Sequence, residues 1–116
     1  YGTPGGDGQV QTNLQVLTNI LDFGMNVQQA VEAPRWKSDW GSTASNWPHT
    51  TPDKLYMEAR FPGCMREALT LKGHKVAPIK EWDPTVGSVM AIMVAPESGA
   101  KLAGADPRRD GYAIGW

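Results

Sequence analysis

A glycine-rich turn that runs directly into a helix-forming segment constrains this chain more than any other feature. Residues 2–8 read Gly-Thr-Pro-Gly-Gly-Asp-Gly, and apolar side chains then recur three and four positions apart over residues 9–23. That spacing predicts an amphipathic helix with a broad buried face. The predicted face contains Val10, Leu14, Val16, Leu17, Ile20, Leu21 and Phe23. We expect Asp7 to be the N-cap of this helix and Gly24 to follow its end.

Gly5 and Gly6 are the sharpest local feature of the turn. Adjacent glycines allow backbone angles that other residues avoid and let a ligand approach the backbone closely. They precede a helix N-terminus, where backbone N–H groups can stabilise developing negative charge as an oxyanion hole does. No Lys follows in the spacing of a phosphate-binding loop. Local chemistry alone favours an ordinary tight turn, with an oxyanion site as the alternative.

The rest of the sequence predicts two further helices and several strands. A short helix over 27–33 is capped by Asn26, with Gln29 at the capping-box position, and ends at Pro34. Another helix is expected over 63–72 and ends at Gly73. Strands are predicted over 55–59, 76–80, 86–95, 100–105 and 112–116, with a hairpin turn at 96–99. Helices come first and the hairpin last, which indicates an α+β fold, and the length of 116 residues allows one domain.

Residues 35–53 break this pattern and are rich in tryptophan. Trp36, Trp40 and Trp47 lie there among Ser, Thr, Gly and Asn residues. We expect an irregular surface loop whose aromatic side chains anchor it to the body of the protein. The alternative is that these side chains form the contact surface of a binding module.

Composition excludes several kinds of function. The 11 basic and 12 acidic residues give a net charge of −1, so the sequence predicts no nucleic-acid partner. Apolar runs are too short to span a bilayer. The single cysteine, Cys64, cannot form an internal disulfide, and we expect it on the inner side of the third helix as a small core residue. His49 and His74 have no cysteine partners at metal-ligand spacing, so the sequence predicts no metal site and structural or solvent roles for both.

Residues 106–110, Asp-Pro-Arg-Arg-Asp, place four charges between two predicted strands. Such a run is either a solvated turn or an ion-pair clasp that fixes the terminal strand, and local reasoning slightly favours the turn. The sequence also begins at Tyr1, inside the glycine-rich turn. We therefore expect the chain to be the C-terminal piece of a longer protein.

Several short motifs, taken together and in order, resemble the gamma-glutamyltranspeptidase family. They cover nearly the whole chain and are weakest in the tryptophan-rich loop. The matching stretches are Gly-Thr-Pro-Gly-Gly at 2–6, Leu-Asp-Phe-Gly-Met-Asn at 21–26, Ala-Val-Glu-Ala-Pro-Arg at 30–35, Met57-Glu58 with Phe61, Gly-His-Lys-Val at 73–76, Gly87-Ser88, and Gly-Ala-Asp-Pro-Arg-Arg-Asp-Gly at 104–111.

The resemblance implies the C-terminal part of the small, catalytic subunit of an N-terminal nucleophile hydrolase with an αββα sandwich. Such enzymes cut themselves from a precursor, and the new N-terminal Thr attacks a γ-glutamyl amide of a glutathione-type substrate. By this resemblance Gly5 and Gly6 supply the oxyanion hole, Gly6 also contacts the substrate, and no cofactor or metal is used. Thr3 stands where the family more commonly has Ser, and it keeps a hydroxyl group.

The resemblance also implies what lies outside this sequence. The nucleophile and the residues that hold the glutamate belong to upstream sequence or to the large subunit, so these are the expected partners and this segment alone is expected to be inactive. The Gly-Thr-Pro-Gly-Gly-Asp variant is also similar to acylase-like and oxamate-hydrolysing relatives, and a non-catalytic binding module is a further alternative. The family suggests a periplasmic or extracellular location and leaves a cytoplasmic one open. The Asp-Pro-Arg resemblance favours partial burial of Arg108 and a solvent-facing Arg109.

Overall fold

The computed structural model describes residues 1–38 and 53–116. The chain divides into two compact units, which we call unit 1 (residues 1–33 and 84–116) and unit 2 (residues 34–83). Both units combine helices with strands, so the predicted α+β class is confirmed. Among the residues that the structure describes, no helix has the length and apolar character needed to cross a membrane.

Unit 1 packs two helices against a β-hairpin. A 3₁₀ turn at Gly6–Gly8 leads into α1 (Gln9–Leu21), and α2 (Val27–Glu32) follows. After a second 3₁₀ turn at Pro84–Val86, strands β4 (Met90–Val94) and β5 (Lys101–Ala105) pair antiparallel. The predicted hairpin is confirmed, although its first strand begins four residues later than expected because residues 84–86 are helical.

The core of unit 1 lies between α1, α2 and the hairpin. Its buried apolar side chains are Val16, Val27, Ala30, Val31, Val89 and Ala91. Gly104 on β5 meets the first residue of α2, and a Cβ at Gly104 would lie 3.0 Å from the Val27 backbone and side chain. Such a contact is tighter than an ordinary one, so a side chain at this position would push the strand and the helix slightly apart.

The capping box of α2 is confirmed. The Asn26 side chain accepts from the Gln29 N–H at 2.9 Å, and the Gln29 side chain accepts from the Asn26 N–H at 3.1 Å. The N-cap of α1 is Gly8, so the expectation for Asp7 is wrong. Asp7 lies inside the 3₁₀ turn Gly6–Gly8, and the α-helix begins after this turn, at Gln9.

The predicted buried face of α1 is only partly correct. Val16 is buried, but Val10, Leu14 and Leu21 are mostly exposed. The other buried residue of the helix is Thr12, whose hydroxyl donates a buried hydrogen bond to the Val86 carbonyl. The face that carries Thr12 and Val16 is therefore the buried one, and Leu14 and Leu21 lie outside it.

Unit 2 contains a mixed three-stranded sheet and one helix. Strand β1 (Trp36–Ser38) pairs antiparallel with β2 (Lys54–Glu58), and β2 pairs parallel with β3 (Lys75–Ile79). Helix α3 (Gly63–Leu71) connects β2 to β3, which gives the crossover that a parallel pair requires. The sequence predicted these two strands and the helix within one residue, but not their parallel pairing.

Three predictions for individual residues are wrong. Trp36–Ser38 is a strand and not part of an irregular loop, because it gains its order by pairing with β2. Cys64 is exposed, since it lies on the outer side of α3. Residues 112–116 form no strand, because strand propensity without a pairing partner does not order the backbone. Trp40, Trp47 and His49 lie outside the described residues.

Candidate functional site

The turn at Gly5 and Gly6 has a backbone that only glycine adopts readily. Gly5 has φ of 141° and Gly6 has φ of 53°, and both residues are exposed. No heavy atom lies within 4 Å of the position that a Cβ would take at either residue. Crowding therefore does not explain this pair of glycines, whereas their positive φ angles do.

Hydrogen bonds hold the residues around the turn. Gly2 forms an antiparallel bridge with Met90, with two N–H···O bonds of 3.0 Å, and the Gly8 N–H donates to the Gly5 carbonyl at 3.1 Å. Among the described residues, no recorded hydrogen bond uses the N–H of Gly5 or Gly6. Two adjacent backbone donors on an exposed turn are thus available to an external acceptor.

Two threonine side chains join the turn to residues 86–88. The Thr3 hydroxyl accepts from the Ser88 N–H at 2.8 Å and donates to the Pro4 carbonyl at 2.8 Å. The Thr12 hydroxyl, in the first turns of α1, donates to the Val86 carbonyl at 3.0 Å. Apart from the resemblance at Gly87-Ser88, no sequence pattern indicates these contacts, because they join residues more than seventy positions apart.

Neutral backbone donors that are fixed before the reaction can stabilise a negatively charged oxygen as it forms. The Gly5–Gly6 turn provides donors of this kind beside the start of α1, with their neighbours anchored on both sides. The arrangement suits the oxyanion of an acyl-transfer reaction. A nucleophile and a base must then come from other residues.

Two residues of the charged run after β5, Asp106 and Arg108, form a buried ion pair. Asp106 accepts from the N–H groups of Val89 and Arg108, at 2.9 and 3.0 Å, and forms an ion pair with the Arg108 guanidinium at 3.0 Å. Arg108 also donates to the carbonyls of Val31 and Ala33, at 3.0 and 2.8 Å. The local preference for a solvated turn is therefore wrong for this pair. The expected burial of Arg108 and exposure of Arg109 are confirmed.

A buried glutamate in unit 2 was missed by sequence reasoning. Glu58 is fully buried, and its carboxylate accepts from the N–H of Arg35 at 2.9 Å and of Asp83 at 3.1 Å. Arg60 completes the cluster with an ion pair at 2.8 Å. A single charged residue in a predicted strand does not by itself indicate that its side chain is buried. The pattern Glu-x-Arg, which repeats the spacing of Asp-x-Arg at 106–108, was the available signal.

His74 is exposed just after α3, in agreement with a solvent role. It borders an apolar cavity of about 450 Å³ in unit 2, whose walls include Trp36, Met57, Phe61, Met65 and Leu69. In the described part of the chain, no three His, Cys, Asp or Glu side chains come together in a way that could hold a metal ion.

Comparison with known proteins places these features in a family. The model of the gamma-glutamyltranspeptidase family matches residues 1–116. A glutathione hydrolase-like proenzyme of Bacillus subtilis is 43% identical over 99% of this chain, and the glutathione hydrolase proenzyme of Escherichia coli is 37% identical over 92%. An oxamate amidohydrolase proenzyme of Klebsiella pneumoniae is 33% identical over 100%. The chain spans only 21%, 16% and 21% of the length of these three relatives.

Solved structures give the same result. The cephalosporin acylase of Bacillus halodurans superposes with a TM-score of 0.82 and 33% identity, over 99% of this chain and 19% of that one. An acivicin-inhibited gamma-glutamyltranspeptidase superposes with a TM-score of 0.74 and 33% identity, over 95% of this chain and 53% of that one.

Proposed function

The chain belongs to the gamma-glutamyltranspeptidase family, and from this premise we propose that it is the C-terminal part of the small, catalytic subunit of a γ-glutamyltransferase or hydrolase. A Thr at the N-terminus of that subunit attacks the amide of a glutathione-type γ-glutamyl substrate and releases the amine. Water or an acceptor amine then takes the γ-glutamyl group from the acyl-enzyme. Gly5 and Gly6 donate their N–H groups to the oxyanion, and Gly6 contacts the substrate.

One observation carries this proposal. The N–H groups of Gly5 and Gly6 are adjacent and exposed, and no hydrogen bond recorded among the described residues occupies them. The turn is closed by the usual bond of a tight turn, from the Gly8 N–H to the Gly5 carbonyl at 3.1 Å, and this bond uses neither glycine donor. The proposal therefore also depends on the family resemblance at residues 2–6, which assigns the two donors to the oxyanion.

Gly6→Pro in the full-length enzyme tests the proposal directly, because proline removes the N–H and cannot adopt a φ of 53°. Loss of one oxyanion donor lowers kcat by about 10²–10³-fold, with little change in KM. Gly24→Pro is the matched control, since Gly24 is also exposed, has φ of 66° and lies in open space. A raised KM with unchanged kcat would point to a ground-state contact instead.

The isolated 116-residue chain has no amidase activity under this proposal, because the nucleophile lies elsewhere in the precursor. A chromogenic γ-glutamyl anilide measures this, with the heat-treated chain as control. Turnover above the control would show that the segment carries its own nucleophile.

The partners under this proposal are the remainder of the small subunit and the large subunit of the same precursor. The outer face of β4 is consistent with such partners. Its side chains Met90, Ile92 and Val94 point away from the core and are 39%, 67% and 57% exposed. Apolar side chains on the outer face of a strand are stabilised when a second layer buries them. The second sheet of an αββα sandwich is such a layer.

A second candidate is an amidohydrolase of the same family that acts on a different acyl group. The observation that favours it is the TM-score of 0.82 with the cephalosporin acylase, against 0.74 with the transpeptidase. Comparing kcat/KM of the intact enzyme for a γ-glutamyl anilide, an N-acylated cephalosporin and oxamate decides between the two. The oxyanion role of Gly5 and Gly6 is the same in either reaction.

A further inference from the structure

Both ends of the Gly5–Gly6 turn are attached to the same three residues of the chain. Before the turn, the Thr3 hydroxyl accepts from the Ser88 N–H at 2.8 Å. After the turn, the Thr12 hydroxyl donates to the Val86 carbonyl at 3.0 Å, in a buried contact. The two threonines therefore both bind the segment 86–88, Thr3 at the Ser88 N–H and Thr12 at the Val86 carbonyl.

Gly87, between these two contacts, makes the close approach possible. It is buried, and a Cβ on Gly87 would lie 2.6 Å from Thr3 Oγ1 and 2.9 Å from Thr12 Cγ2. Its φ of 86° is also one that other residues rarely adopt. A side chain at this position would push both threonines away from the backbone groups that they bind.

The Thr3 hydroxyl connects this anchor to the turn itself. It accepts from Ser88 with a lone pair and uses its proton to donate to the Pro4 carbonyl at 2.8 Å. The peptide that contains this carbonyl joins Pro4 to Gly5. One hydroxyl therefore links the first peptide of the turn to a segment that Thr12 and the neighbouring core hold in place.

We propose that Thr3, Thr12 and Gly87 form a clamp that positions the Gly5–Gly6 turn, with Thr3 as a positioning residue for the oxyanion site. This inference rests on the function proposed above. The clamp requires a hydroxyl at position 3 and not a threonine as such, because the methyl group of Thr3 makes neither bond. Serine at position 3 should therefore preserve the function, and valine, with the same shape as threonine, should not.

The test compares Thr3→Ser, Thr3→Val and Gly6→Pro in the full-length enzyme, with kcat and KM for a γ-glutamyl anilide, the thermal midpoint, and the extent of self-cleavage on a denaturing gel. Displacing a reacting group by about 1 Å can cost on the order of 10²-fold in rate. We expect Thr3→Val to lower kcat by about tenfold or more with nearly unchanged KM, and Thr3→Ser to restore it. Thr70→Val is the control, since its hydroxyl also donates to a backbone carbonyl, that of Arg66 in unit 2.

The outcomes separate the clamp from the proposed function. Normal kcat for Thr3→Val beside an impaired Gly6→Pro overturns the clamp and leaves the oxyanion role standing. Normal kcat for both variants overturns both proposals. Equal losses for Thr3→Ser and Thr3→Val also overturn the clamp, because the hydroxyl would then not be the important group. If Thr3→Val does not mature, Thr12→Val replaces it at the other end of the turn, where normal kcat would again overturn the clamp.

Discussion

Asp106 in unit 1 and Glu58 in unit 2 each form an ion pair with an arginine two residues later, yet the two arginines are used differently. The Asp106–Arg108 pair has both side chains fully buried, and Arg108 extends to the Val31 and Ala33 carbonyls at the end of α2. Arg60 is 19% exposed at its side chain, and its guanidinium carbon lies 3.5 Å from the centre of the Trp82 ring.

The two pairs also differ in the backbone groups that each member binds. In unit 1 the arginine joins the end of the hairpin to α2, while the aspartate fixes the arginine and the N–H of Val89. In unit 2 the carboxylate binds the N–H groups of Arg35 and Asp83, while Arg60 covers it from the solvent side and donates to the Glu81 carbonyl at 2.7 Å. The same spacing in sequence thus gives a fully buried arginine that binds the end of a helix in unit 1 and a partly exposed arginine beside a buried carboxylate in unit 2.

Removing Arg108 should have the largest effect. Arg108→Ala removes the buried ion pair with Asp106 and the two hydrogen bonds that Arg108 donates to carbonyls at the end of α2. Breaking a buried pair in this way costs about 3–5 kcal/mol. Thermal and urea unfolding of the intact enzyme measure the loss. A change no larger than that of an exposed arginine would show that the clasp is dispensable.

Removing the charge of Glu58 should cost less. Glu58→Gln keeps the size of the side chain but turns an NH₂ group toward one of the donors that the carboxylate binds, among them the N–H of Arg35, the N–H of Asp83 and the Arg60 guanidinium. Hydrogen bonds to charged groups contribute about 1.5–3 kcal/mol each, and part of this is kept by the amide oxygen. The control is Glu67→Gln on the exposed side of α3. Equal unfolding midpoints for the two variants would contradict the connecting role of Glu58.

The smallest effect is expected at Arg109, the immediate neighbour of Arg108. Its side chain is exposed and donates a hydrogen bond to the Pro84 carbonyl at 3.3 Å. Surface substitutions of this kind change the free energy of unfolding by about 0.5 kcal/mol or less. A loss at Arg109→Ala that matches or exceeds that at Arg108→Ala would reverse the assignment of the buried arginine.

The sequence predicted those parts of the fold whose signals are local. The capping box at Asn26 and Gln29, the β4–β5 hairpin and the end of α3 before Gly73 each depend on residues a few positions apart. The candidate oxyanion turn was found for the same reason, because two adjacent glycines before a helix are visible without any tertiary information.

What the sequence did not predict depends on contacts between distant residues. Strand β1 has only three residues and takes its order from β2. The burial of Glu58 is set by the N–H groups of Arg35 and Asp83, which lie 23 and 25 positions away. The anchor of the turn joins Thr3 to Ser88 across 85 positions. Hydrophobic periodicity also predicted that Leu14 and Leu21 of α1 are buried. They are exposed, whereas Thr12, whose hydroxyl binds the distant Val86 carbonyl, is buried.

Unit 1 is assembled from two stretches of chain, 1–33 and 84–116, with all of unit 2 between them. During translation its helices therefore leave the ribosome well before the hairpin on which they pack, whereas unit 2 emerges as one uninterrupted stretch. The entropic cost of closing a loop grows only logarithmically with the length of the loop. The intervening unit 2 therefore delays the folding of unit 1 more than it lowers the final stability of unit 1. Until residues 86–88 have been synthesised, Thr3 and Thr12 lack the backbone groups that they bind, so the Gly5–Gly6 turn is among the last features of unit 1 to be held in place.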